Sequence, residues 1–92
     1  MIVNVYSVFD CKAHIWMPPF TFRTDAEAIR ALTNTANDPN SSMGQHPADF
    51  ALYRIGKFDD ASGEVIAESE KKALGLAVEF IRPTESADIF ET

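Results

Sequence analysis

One cysteine, Cys11, and two histidines, His14 and His46, supply all the thiol and imidazole chemistry of this 92-residue chain. A lone thiol closes no internal disulfide, and no basic start with an apolar run and cleavage site opens the sequence, so a reducing cytoplasm is the expected compartment. Neither a CxxC nor an HxxxH spacing occurs, which leaves three scattered donors and no expected metal or other cofactor. Asp59, Asp60 and Glu64 miss the spacing of an EF-hand and read as a turn instead. The four glycines never cluster, so no phosphate-cradling loop is present. Cys11 and His14 lie close enough to meet, but nothing completes an activated set around them, and an enzyme is not expected. No apolar run approaches the roughly 18 residues of a membrane span. The acidic balance also opposes attraction to anionic lipid, so no membrane contact is expected.

What is present is an uneven distribution. The net charge is −6, yet residues 1–57 hold five bases (Lys12, Arg23, Arg30, Arg54, Lys57) and five acids, and seven of the ten aromatics. Residues 58–92 hold three bases against nine acids. The neutral, ring-rich part therefore retains the capacity for a groove that takes a polyanion, while the later part repels one.

The pattern predicts one α+β domain over residues 1–82, a small antiparallel sheet with one main helix in the order ββαβββ. Ile2–Phe9 is β-branched and aromatic without helical period, as a central strand would be. His14–Phe22 pairs with it as an edge, because Pro18 and Pro19 cannot donate to a ladder. Thr24 with Glu27 forms a capping box, and Ala28, Ile29, Leu32 and Ala36 give the following helix an apolar stripe. Ser41–Asp49 lacks periodicity and reads as a connecting loop with Met43 as its anchor. Phe50–Phe58 is a strand, Asp59–Gly63 a turn with glycine in the left-handed position, and Glu64–Ala67 a return strand. Glu68–Lys72 reads as a polar loop, and strict alternation from Leu74 to Ile81 as the last strand, ended by Pro83. Residues 83–92 form an acidic tail expected to be flexible.

The candidate site follows from the rings. Single-stranded nucleic acid is held by aromatic faces that stack on bases, beside cations that meet phosphates. Trp16 and Tyr53 are the rings best suited to exposure, with Lys12, Arg23, Arg54 and Lys57 as phosphate contacts; any of the phenylalanines can instead serve as core. Simple alternation puts Tyr53, Ile55 and Lys57 on one side and Arg54 on the other, and lets Phe20 and Phe22 share the side of Trp16 or swap, depending on the prolines. In the tail, Ile89 and Phe90 sit among acids, a pattern that suits docking into a basic-rimmed pocket of a partner and resembles the C-terminal tips of bacterial single-strand-binding proteins.

Several segments, VYSVFD-KA, MPPF with EAIRA, ANDPNSSMGQHPADFALYRIGKFDD-SG and LGLAVEFI, resemble the small nonstructural protein of gokushoviruses, the Chlamydia-phage-like branch of the Microviridae. The resemblance spans about residues 5–81 and is most specific from Asn37 to Gly63. It implies a protein of the host bacterial cytoplasm, absent from the capsid, that binds DNA or acts when replication shifts from duplex to single-stranded genomes; with the rings and cations above, the expected function is single-stranded DNA binding in genome replication or in the switch to single-stranded DNA synthesis. It carries over no catalytic residue. Single-stranded DNA, further copies of the chain in a dimer or larger oligomer, and a viral or host replication protein are the expected partners. An alternative is an interaction module that regulates a replication factor through its acidic half.

Overall fold

The structure, a computed structural model, describes residues 1–82. Ile2–Asp10 (β1) lies in the middle of one antiparallel sheet, with Tyr6, Ser7 and Val8 all buried. On one side it pairs with two short strands, Ile15–Trp16 (β2) and Phe20–Phe22 (β3), and on the other with Phe50–Asp59 (β4). Val65–Leu76 (β5) pairs with β4 and forms the opposite edge. The class is α+β, as the patterning predicts, and the element order is broadly the predicted one.

The helix Asp25–Ala36 (α1) starts where the capping box places it. The Glu27 amide donates to Thr24 Oγ1, and the Thr24 amide donates to the Glu27 carboxylate, both at 3.2 Å. Its stripe of Ala28, Leu32 and Ala36 packs on Tyr6, Val8, Phe50 and Leu52 of the sheet. Ser42–Gln45 (α2) adds Met43 to this core, so the connection read as a loop is a short helix followed by a 3-10 turn at Pro47–Asp49. Gly63 takes φ 78° in the β4–β5 turn, where its amide donates to the Asp59 carbonyl at 2.7 Å.

Three local readings change, each for a non-local reason. The segment 14–22 is split by Pro18 and Pro19: the Met17 amide still donates to the Val8 carbonyl at 2.9 Å, but the chain is released on either side of the prolines. Because Trp16 pairs with Phe9 while Phe20 pairs with Tyr6, the two halves present opposite faces. Glu68–Lys72 lies within β5 rather than in a loop, although it bows: Arg54 pairs with Lys72 and Gly56 with Ala67, so residues 68–71 stand opposite Ile55 alone. The last strand ends at Leu76. Gly75 has φ 143°, and the chain then turns into a 3-10 helix, Ala77–Phe80, whose start is fixed by the Leu76 amide donating to Glu79 Oε2 at 2.7 Å. Asn37, at the end of α1, holds this segment by donating to the Phe80 carbonyl and accepting from the Arg82 amide.

The tail 83–92, with Ile89 and Phe90, lies outside the described residues.

Candidate nucleic-acid interface

Partners across an antiparallel pair share a face, so the registers sort the side chains of the sheet into two sets. Tyr6, Val8, Leu52, Arg54 and Lys72 point towards α1. Phe9, Ser7, Tyr53, Ala73 and Trp16 point the other way, and among the described residues both helices pack on the first side.

On that open side the rings form a chain. Phe9 and Trp16 have centroids 4.9 Å apart, and Trp16 and Tyr53 5.0 Å apart at 68°. His14, held at φ 56° in the turn after β1, sets its ring edge-on to Phe9 at 6.3 Å. The indole thus reaches from β2 across β1 to β4, which accounts for Ser7 being 1% exposed beneath it. Trp16 itself remains 39% exposed. Lys71 extends from the bowed part of β5 to place Nζ 5.8 Å from the Trp16 centroid, within cation–π range.

The covered face uses similar residue types differently. The Tyr6 hydroxyl donates to Asp25 Oδ1 at 2.7 Å, and Arg54 donates from Nη1 to Asp25 Oδ2 at 2.8 Å and from Nε to Glu68 Oε2 at 2.9 Å. Burial, reinforced by the hydrogen bond to Asp25, pushes the Tyr6 hydroxyl up to about 12. Burial also acts to raise Asp25, but the Tyr6 hydroxyl, the Arg54 guanidinium and the Lys72 ammonium outweigh it and hold the carboxyl below the usual aspartate range. An apolar cavity of about 320 Å³, lined by Val8, Met17, Phe20, Phe22, Leu32 and Met43 among others, lies on this side and suits no polyanion.

Of the residues singled out from the sequence, Trp16 and Tyr53 come together on the open face. Lys12 is exposed in the β1–β2 turn that also carries His14, at the same end of the sheet. Arg54 does not join them: it points under α1 and is committed to two carboxylates. Lys57 is exposed, but one extra residue in β4, Ile55, shifts the alternation so that Lys57 pairs with Asn4 and falls on the Tyr6 side instead of sharing Tyr53's. Arg23 is exposed at the corner between β3 and α1, where its carbonyl accepts from Asn4. Two members of the cluster escaped the sequence reading. Phe9 was available from its alternation against Tyr6; Lys71 was hidden because its segment reads as a loop.

Among the described residues no helix is long and apolar enough to cross a membrane, and no three metal-ligating side chains gather. Neither the curated proteins nor the solved structures contain a match to this chain. The family profile described as "Phage ORF5 protein", by contrast, matches residues 3–80, from the second residue of β1 through the last turn that packs on α1. That span includes every element of the core and every ring of the open face, and the chain belongs to the phage ORF5 protein family.

Proposed function

We propose that this phage protein is a non-enzymatic single-stranded DNA-binding protein that works in the host bacterial cytoplasm, in genome replication or the switch to single-stranded DNA synthesis. The resemblance to the gokushovirus nonstructural protein supports that setting. The observation that carries the binding is the exposed Trp16, braced by Phe9 and Tyr53 on an uncovered sheet face with Lys71 over its ring. Rings fixed by neighbours lose little freedom when a base stacks on them, and each stacked base is worth about 1–3 kcal/mol. Lys71 supplies positive charge at this face and Lys12 at the same end of the sheet, and stacking tolerates any base.

The reading in which the acidic half is the working surface has less behind it. Of the six acids from Asp59 to Arg82, Asp59, Asp60, Glu68 and Glu79 make local contacts, to the Ala61 amide, the N-terminal ammonium, Arg54 and the Leu76 amide. Among the described residues of that half, Glu64 and Glu70 are the acids that remain.

Trp16 is the single tryptophan, so its emission reports on the site directly. Titration with oligo-dT at low salt is expected to quench it, with the effect reversed as salt rises and absent for duplex of the same sequence. Unchanged emission at low salt, with the protein folded, would remove the proposal.

A further inference from the structure

The apolar cavity of about 320 Å³ lies between the broken edge of the sheet and the helices, with Met17, Phe20 and Phe22 on one side, Ala31 and Thr35 of α1 on another, and Met43 of α2 beside them. It opens to solvent, and Met17 in its wall is 42% exposed. Thr35 brings the one hydroxyl of the lining, and that hydroxyl donates to the Ala31 carbonyl at 3.3 Å. Water inside finds too few partners, since an ordered water needs about two to four polar ones. A cleft of this size and lining suits a ring or a branched apolar side chain.

The chain carries such a side chain within reach. Arg82, the last described residue, is tied to α1: its amide donates to Asn37 Oδ1 at 2.8 Å, and Nη2 donates to Asn34 Oδ1 at 3.1 Å. Asn34 follows Ala31 by three positions, so the two are neighbours on the helix surface, about 5–6 Å apart at Cβ. The sequence beyond Arg82 therefore sets out beside the cavity's helical wall. Phe90 comes eight positions later, with Asp88, Ile89 and Glu91 around it. An extended chain covers about 3.3 Å per residue, or about 26 Å over those eight, against a helix about 10–12 Å across with its side chains.

Charge points the same way. An apolar pair set among acids suits a basic-rimmed pocket, and this chain possesses one: Arg23 directly follows the lining residue Phe22, and Arg30 directly precedes Ala31. Both arginines are exposed, and among the described residues neither meets a carboxylate. The acids near them are already engaged, Asp25 with Tyr6 and Arg54, Glu27 with the Thr24 amide and Asp38 with the Asn40 amide.

We propose that Phe90 of the chain's own segment after Arg82 fills this cavity, with Ile89 at its mouth and with Glu85, Asp88 and Glu91 along Arg30 and Arg23. Tethering makes the contact intramolecular, at an effective concentration of about millimolar, so one buried ring is enough to hold it. The cavity lies on the α1 side and leaves the Trp16 face free, so the docking does not depend on nucleic-acid binding.

The three methionines provide the test, on the full chain and without DNA. Met17 and Met43 line the cavity, whereas Met1 is bound through its ammonium to Asp60 and serves as the internal reference. With 13C-methyl methionine, Phe90→Ala is expected to move the Met17 and Met43 resonances, because the field of the ring is lost, and to leave Met1 in place. The same variant should speed cleavage after Glu85 by a glutamate-specific protease roughly tenfold, since cleavage follows the undocked fraction. Thr35→Phe, which plugs the cavity from the exposed side of α1, should speed it likewise with residues 83–92 unaltered. Unmoved Met17 and Met43 resonances in folded Phe90→Ala protein, or equal cleavage rates, overturn the proposal. A contact between the Phe90 ring and the Met43 methyl that arises between labelled and unlabelled chains in a mixed sample overturns it too, because the occupant is then the segment of a second copy.

Discussion

The two faces of the central sheet use the same kinds of side chain to opposite ends. Under α1, rings and charges are used up on each other: Tyr6 stacks on Phe20 with centroids 6.0 Å apart, its hydroxyl is bound to Asp25, and Arg54 is shared between Asp25 and Glu68. On the open side Phe9, Trp16 and Tyr53 also stack, but Lys71 meets the indole rather than a carboxylate, and Trp16 keeps an exposed surface. A charge paired at a partly buried site stabilises the fold and has little left for a ligand. One that rests on an aromatic face remains available, since a phosphate can bind it without breaking an ion pair. The comparison separates stability from binding in a way that substitutions can break.

The largest effect is expected under α1. Leu52 is fully buried there, and Leu52→Ala should lower unfolding free energy by about 2–5 kcal/mol in denaturant titrations, a large share of what a domain this small possesses. Next comes a matched pair of cation replacements. Arg54→Met leaves Asp25 and Glu68 without their shared partner at partly buried positions and should cost about 2 kcal/mol of stability, while oligonucleotide affinity of the folded fraction is unchanged. Lys71→Met should do the reverse, leaving stability within about 0.5 kcal/mol and flattening the salt dependence of binding by roughly one phosphate contact. If Arg54→Met weakened binding more than Lys71→Met, the division between the faces would be wrong.

The smallest effect is a pH dependence confined to the covered face. Asp25 is held below its ordinary value of 3.8, so the stability it contributes is fully present above that value and is lost as pH falls through the lower folded value. Tyr6 is held up at about 12 against 10, so its contribution is intact below 10 and lost as pH rises through 12. Between these limits neither group titrates, and stability should be flat in their contribution. Asp25→Asn should remove part of the acid-side slope, measured as the change in denaturation midpoint between about pH 5 and about pH 3.

Much of this framework was legible residue by residue. The helix start follows from Thr24 and Glu27, the β4–β5 turn from Gly63, and the central strand from an apolar run too mixed for a helix. The prolines at 18 and 19 announced a break and left two outcomes, of which the sheet took the face swap. The site was half legible: Trp16 and Tyr53 were recognisable as exposed-type rings, but Lys71 lay in a segment that reads as loop, and the parity that put Lys57 beside Tyr53 failed at one extra residue, Ile55. The alternation from Leu74 to Ile81 also misled, because a period of two says nothing about a backbone turning at Gly75 to pack Phe80 where a side chain at that glycine would sit.

By itself, then, the sequence determined those features that depend on neighbours within about four positions: the cap, the glycine turn, the extended runs, the stripe of α1 and the split of charge between the two halves. Tertiary structure alone decided which cation met a carboxylate and which met an indole. That choice depends on strand register, and register is a sum over many contacts between residues far apart in the chain, in which a single bulge at Ile55 redirects every side chain that follows in β4.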